Sequence, residues 1–149
     1  MNKYELLPEG NIFRLKALKD FGSVKAGDLG GLVSGEHNLS QEGLCWVFGG
    51  AHVYGNAQVY GDACVSGDAL VYGNAQVFGD AQVFGDARVS GDAQVFGDAQ
   101  VFGDARVSGN AWVSGNAWVL GDAQVFGDAR VSGNAQVSGD ARVSEHARV

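Results

Sequence analysis

The stretch VFGDAQVFGDARVSGDAQVFGDAQ, Val77–Gln100, is one six-residue phrase written four times. Extended outward, the phrase places valine at every sixth position from Val47 to Val149, eighteen valines bounding seventeen hexads. Alanine stands four residues after each of the first seventeen, from Ala51 to Ala147. Glycine stands two residues after, from Gly49 to Gly139, and Glu145 takes its place once. Asp or Asn follows that glycine at every position from Asn56 to Asp140. The residues flanking each valine vary.

A helix needs apolar residues at a 3.6 period, and glycine at every sixth position opposes it. In a strand, Ala-x-Val-x sends Ala and Val to one face and the two variable residues to the other. Gly-Asp or Gly-Asn supplies a bend, since both members tolerate positive φ. The unit reads as a four-residue strand and a two-residue corner. A hairpin meander of such strands would need a second layer to cover its Ala/Val face, and the chain offers none. A coil closing on itself buries that face against its own other sides, with each strand pairing one coil above, about 4.8 Å away. Val83, Val89, Val95 and Val101, with Ala87, Ala93, Ala99 and Ala105, are the expected core.

Composition agrees. Of 149 residues, 46% are hydrophobic, so the chain is no disordered acidic tail. Twenty-four are glycine and one is proline, with no period of three. The net charge of −7 opposes nucleic-acid binding, and residues 47–149 carry most of it, with eleven acids against five arginines. No apolar run spans a membrane, and no secretory leader pattern begins the chain. Cys45 and Cys64 fit no metal spacing and read as two reduced thiols of a cytoplasmic protein.

The run Val-x-Gly-[Asp/Asn]-Ala-x resembles the hexapeptide repeat of left-handed β-helix proteins, in which three hexads make one triangular coil. Residues 20–47 are similar to the N-terminal segment of YdcK-like hexapeptide proteins. The matching features are Asp20-Phe21, Val24-Lys25-Ala26-Gly27, Gly30-Gly31, Asn38-Leu39-Ser40-Gln41 and Gly43-x-Cys45-Trp46. Those proteins are called transferases by superfamily membership. The resemblance implies an all-β fold, a single-stranded left-handed parallel β-helix of about 18 residues per coil. Identity at the position after valine agrees better at a separation of 18 than of 12, which favours three hexads over two. Handedness comes from the resemblance alone.

Residues 1–46 read as an N-terminal cap and 47–149 as the solenoid. In the cap, KYELLPEGNIFRLKAL reads as a hairpin around a Pro-Glu-Gly-Asn turn, and Asp20–Trp46 as an irregular first coil with Leu29 in phase with Val47.

An 18-residue coil sorts the surface into columns. On the Val47 side, Trp46, Phe48, Phe84, Phe102, Trp118 and Leu120 point outward; on the Val59 side, Tyr60, Phe78, Phe96 and Trp112 do so. The Val53 side is more polar, with Arg88, Arg106 and Arg142. Flat aromatic strips mark an interface, here between copies in a dimer or trimer, or they stabilise the sheet face. One corner column is wholly acidic: Asp68, Asp86, Asp104, Asp122 and Asp140. Either each Asp bonds a backbone N–H at its own corner, or the row holds divalent cations; the mixed Asn/Asp columns speak against the latter.

The expected function is non-catalytic: a structural, self-associating solenoid with no catalytic residue, metal or cofactor, and no nucleic-acid, membrane or small-molecule partner. The hexapeptide resemblance keeps an acyltransferase-like enzyme as the alternative, with His37 as the reachable base; His52 and His146 read as surface residues. A glycan- or surface-binding solenoid is the third reading. Ice-binding solenoids present Thr rows, and this chain has no Thr.

Overall fold

The computed structural model describes residues 2–149. Strands β1 (Tyr4–Glu9) and β2 (Ile12–Ala17) form an antiparallel hairpin, registered from Tyr4↔Ala17 to Glu9↔Ile12. Its turn is Gly10-Asn11 alone, with Gly10 at φ 68°. Pro8, expected in the turn, pairs with Phe13 inside β1 instead. It is tolerated because β1 is an edge strand, where a missing N–H breaks no ladder bond. Strand β3 (Leu29–Val33) pairs antiparallel with β2 and, on its other edge, parallel with His52–Val53. The hairpin therefore continues one sheet of the solenoid past its first coil.

From Trp46 onward the chain winds through three parallel sheets. One runs from His52–Val53 to Arg142–Val143, a second from Trp46–Val47 to Gln136–Val137, and a third from Gln58–Val59 to Arg130–Val131. Val83 pairs with Val101, Val89 with Val107 and Val95 with Val113. Each partner lies three hexads on, so one coil takes 18 residues and the solenoid makes about six turns. Strand pairing proper covers two residues per hexad rather than the four expected. The alanine belongs to the corner: the Ala105 N–H donates back to the Phe102 carbonyl at 3.4 Å. Only the corner glycine takes positive φ, 70° at Gly85, and the Asp after it does not. Positive φ at the first central position is the type II′ pattern.

Three backbone bonds per hexad tie each coil to the next. Gln82 donates to Ala99, Phe84 to Val101 and Asp86 to Gly103, at 2.8–3.0 Å. The lining is as uniform as the phrase: Val83, Val89, Val95, Val101, Ala87, Ala93, Ala99 and Ala105 are all 0% exposed. Each buried valine contributes roughly 1.5–3 kcal/mol before chain entropy is subtracted.

The first coil departs from this spacing. Val33 sits on Val53 and Leu39 on Val59, each 20 positions away, before Trp46 and Val47 settle to 18. The two extra residues widen the corner between Leu39 and Cys45. Cys45 fills the alanine slot and is fully buried. Leu29 is not in phase with Val47: it pairs with Lys16 and is 57% exposed. The widened corner shifts the phase, so Val33 lines the core instead. A 3-10 turn, Glu36–Asn38, fills the corner between Val33 and Leu39. There Asn38 is buried, accepting from the Ser34 N–H at 2.8 Å and donating to the Ala57 carbonyl at 2.8 Å.

Candidate functional site

Strand alternation turns the residues flanking each valine outward, and the 18-residue coil stacks them. On the Val59 side, Tyr60, Phe78 and Phe96 form a ladder with centroids 4.8 and 5.0 Å apart and planes within 4° of parallel. Trp112 closes it edge-on at 6.0 Å. On the Val47 side, Phe84 and Phe102 stack at 4.8 Å and Trp118 meets Phe102 edge-on at 5.9 Å. Phe48 stands apart, since Ser66 occupies the level between it and Phe84. Leu120 follows on the same side, half-buried. Trp112 and Trp118 are the most exposed of these, at 36% and 39%. Arg130 lies over the Trp112 ring, 4.5 Å from its centroid.

Trp46 departs from the outward reading. It is 1% exposed, edge-on to Phe21 at 5.3 Å and to Tyr4 at 6.3 Å. It lies at the end of its sheet, where the cap folds over it. A Cβ on Gly30 would come within 2.7 Å of its ring, and one on Gly31 within 2.4 Å of the Ala51 carbonyl oxygen. The adjacent glycines are thus space for Trp46 and for the first coil. The Val53 side holds an aromatic pair that its polar reading passed over: Tyr54 and Tyr72 stack at 5.0 Å.

Corner side chains follow a simple rule. In the mixed columns an Asn amide donates upward: Asn56 to Asn74, Asn74 to Asp92, Asn110 to Asp128 and Asn116 to Asn134, at 3.0–3.4 Å. The wholly acidic column has only acceptors and cannot build this ladder. Nor do its carboxylates hold the N–H of their own corners, as expected from sequence. That of Asp86, for example, donates to Gly103 one coil on. No group of three or more His, Cys, Asp or Glu among the described residues is placed to hold a metal ion. Beside this column runs a groove of about 640 Å³, walled by Asp68, Asp86, Asp104 and Asp122 and by Leu70, Arg88, Arg106 and Gln124.

The histidines do not converge. His37 Nε2 lies 2.7 Å from the Gly55 carbonyl oxygen, so it donates, and Nδ1 packs against Gly35. His52 meets Tyr54 edge-on at 6.4 Å beside an apolar recess of about 430 Å³ that includes Ile12, Leu32 and Leu70. His146 stands 3.5 Å from Asp128 at an exposed corner.

Sequence reading also missed Lys3. It is 1% exposed, and its ammonium donates to the carbonyls of Cys45, Gly43 and Glu42 at 2.8, 3.3 and 3.4 Å. These carbonyls belong to the widened corner, which has no coil below to satisfy them. Cys45 Sγ lies 3.3 Å from Nζ, and Phe21 packs against the ammonium at 4.9 Å. Burial lowers the Lys3 pKa, partly offset by Cys45, and raises that of the Cys45 thiol, partly offset by Lys3. Nothing in the repeat period signals this residue, because it lies outside the repeats.

The repeat itself decides the family. The YdcK beta solenoid repeat model matches residues 57–73, 81–97, 99–115, 123–139 and 135–149, just over half the chain. The chain belongs to the YdcK beta solenoid repeat family. Each matched segment holds three successive valines, and four of the five are 17 residues long, one residue short of the 18-residue step that the strand pairing shows. No curated protein matches the chain. The YdcK repeats thus account for the coil and its columns, and the aromatic strips and charged groove are variations on its outward positions.

Proposed function

We propose that this protein is a non-catalytic structural solenoid that associates with copies of itself through its flat aromatic strips. The ladder geometry carries this reading. Rings stacked at 4.8 Å spend their faces on one another and turn their edges outward. A straight, half-buried apolar strip of this kind suits another flat surface. It suits a sugar less well, since a pyranose stacks on an open ring face. Of the tryptophans that end the ladders, Trp112 is already covered by Arg130. The hexapeptide architecture implies left-handed winding, and two free thiols suit a reducing, cytoplasmic setting.

The acyltransferase reading finds little support, because His37 donates to the Gly55 carbonyl at the first corner and neither His52 nor His146 stands with it. Saturable micromolar binding of an acyl-CoA in calorimetry would restore it. The test of self-association is sedimentation velocity on the double variant Phe84→Ser/Phe102→Ser. Its association should weaken at least tenfold with circular dichroism unchanged. Sedimentation identical to the parent's would remove the aromatic interface.

A further inference from the structure

The third side of the solenoid carries charge in a fixed order. Across one coil the outward residues run Asp86, Arg88, Ser90, Asp92, and across the next Asp104, Arg106, Ser108, Asn110. Strand pairing sets Arg88 directly beneath Arg106. Both are exposed, and among the described residues the ion pairs are Arg14–Glu9 and His146–Asp128. The two guanidinium groups therefore line the groove beside the Asp column without closing an ion pair. Like charges one coil apart repel one another, so each row gains from an opposite row laid on it.

We propose that this side docks on the same side of a second copy, the coil axes parallel and a two-fold axis running between them along the coil direction. The inference rests on the self-association proposed above and adds a surface and a symmetry to it. A two-fold contact can be made in two ways. An axis across the coils lays every row on itself, Arg on Arg and Asp on Asp, and is repulsive. An axis along the coils keeps each coil level with its counterpart and reverses the order of the rows. Arg88 then lies on the partner's Ser90, and its guanidinium reaches the partner's Asp92, offsetting the approach of Asp86 to that same carboxylate; the reciprocal contact forms at the same level, and one coil on Arg106 meets the neutral Asn110.

Side-chain size agrees with this choice. On this side each strand with Arg before its valine has Ser after it: Arg88 with Ser90, Arg106 with Ser108 and Arg142 with Ser144. An axis along the coils sets these two positions of one strand opposite each other across the contact. Large then meets small at the three Arg levels, and Gln124 meets the partner's Phe126 between two of them. Leu70 meets the partner's Tyr72 where the residues are apolar.

The test uses sedimentation velocity at 50 mM and 500 mM salt, with disulfide trapping in a Cys64→Ser background. Parent association should weaken at least tenfold at the higher salt. Arg88→Asp/Arg106→Asp should abolish the salt-sensitive part, and Phe84→Ser/Phe102→Ser should leave it. Mixed Arg88→Cys and Ser90→Cys chains should cross-link, while Ser90→Cys alone should not. Three outcomes overturn the proposal: unchanged association of the Arg variant, cross-linking of Ser90→Cys alone, or association insensitive to salt. If the Arg variant matches the parent while the Phe variant dissociates, the aromatic reading survives and this one fails. A parent that is monomeric at both salts sinks both.

Discussion

At the residue scale, the corner asks two things of glycine. Gly85 sits at φ 70°, and a Cβ there would come within 3.0 Å of the Gly103 nitrogen. Backbone strain and coil contact both exclude a side chain. Glu145 shows the strain in isolation: it adopts φ 58° in the glycine slot and is the one non-glycine residue at positive φ among those described. Left-handed backbone costs an L-residue about 1–2 kcal/mol. Replacing Glu145 by Gly should therefore raise stability by about 1 kcal/mol, some of the gain being lost to glycine's freer unfolded chain. A lower midpoint in denaturant for this variant would contradict that account. Ala99 poses the opposite demand, having no exposed surface. Ala99→Asp would place a carboxylate among valines and should cost about 4 kcal/mol or more, read from the same midpoint. An unchanged midpoint would mean that alanine does not face the core.

At the scale of elements, the cap and first coil depend on groups that the repeats do not contain. Trp46 closes the end of one sheet and Lys3 satisfies the widened corner. Titration of Lys3 and of the buried acids around this end gives the fold a pH dependence whose sign follows from the shifts. Cys45 and Cys64 have pKa values raised from 9.0 by burial, and Tyr4 is raised from 10.0 by burial and by Glu36. Above pH 9 the unfolded chain releases these protons first, so stability falls as pH rises. Lys3 acts in the other sense: its pKa is lowered from 10.5, and stability is gained as pH climbs toward that value. Burial raises Tyr54 and Tyr60 as well, so five acids oppose one base, and the melting temperature should drop between pH 9 and 11. Cys45→Ala should flatten the early part of that drop. A melting temperature that rises over this interval would show Lys3 to dominate.

At the scale of the whole molecule, the solenoid is long-range contact repeated at one step. Every coil presents the same three valines and three alanines to its neighbours, so stability is a sum over near-identical interfaces. The same regularity leaves the outer positions free to vary, and they sort into two aromatic sides and one charged side. Association through the two kinds of side should differ in salt response, because screening at high salt acts most on the side where Arg88 and Arg106 line up beside the Asp column. Sedimentation across a salt series should resolve two components. A single salt-independent isotherm would leave only the aromatic contact.

How much of this was legible beforehand follows from periodicity. Val83 and Ala87 could be placed inside, and Phe84 and Arg88 outside, because alternation along a strand is strictly two-residue. The ladders followed once the coil length was granted. Trp46 was placed outside by that same rule and is inside, since alternation does not know what folds over the end of a sheet. Leu29 failed for a related reason: two residues inserted between Leu39 and Cys45 broke the count on which its phase was reckoned. Lys3 could not be found at all, because its partners are carbonyls 39 to 42 positions along the chain.

The amino-acid sequence alone determined the hexad, the inward face and the corner, because these depend on neighbours two to six residues apart and on which backbone angles glycine permits. Only the tertiary structure decided the 20-residue step of the first coil, the burial of Trp46 and Lys3 at the capped end, and the unpaired charge beside the acidic column. Those depend on which distant segments meet, and a repeating phrase carries no mark of where the repetition is interrupted or covered.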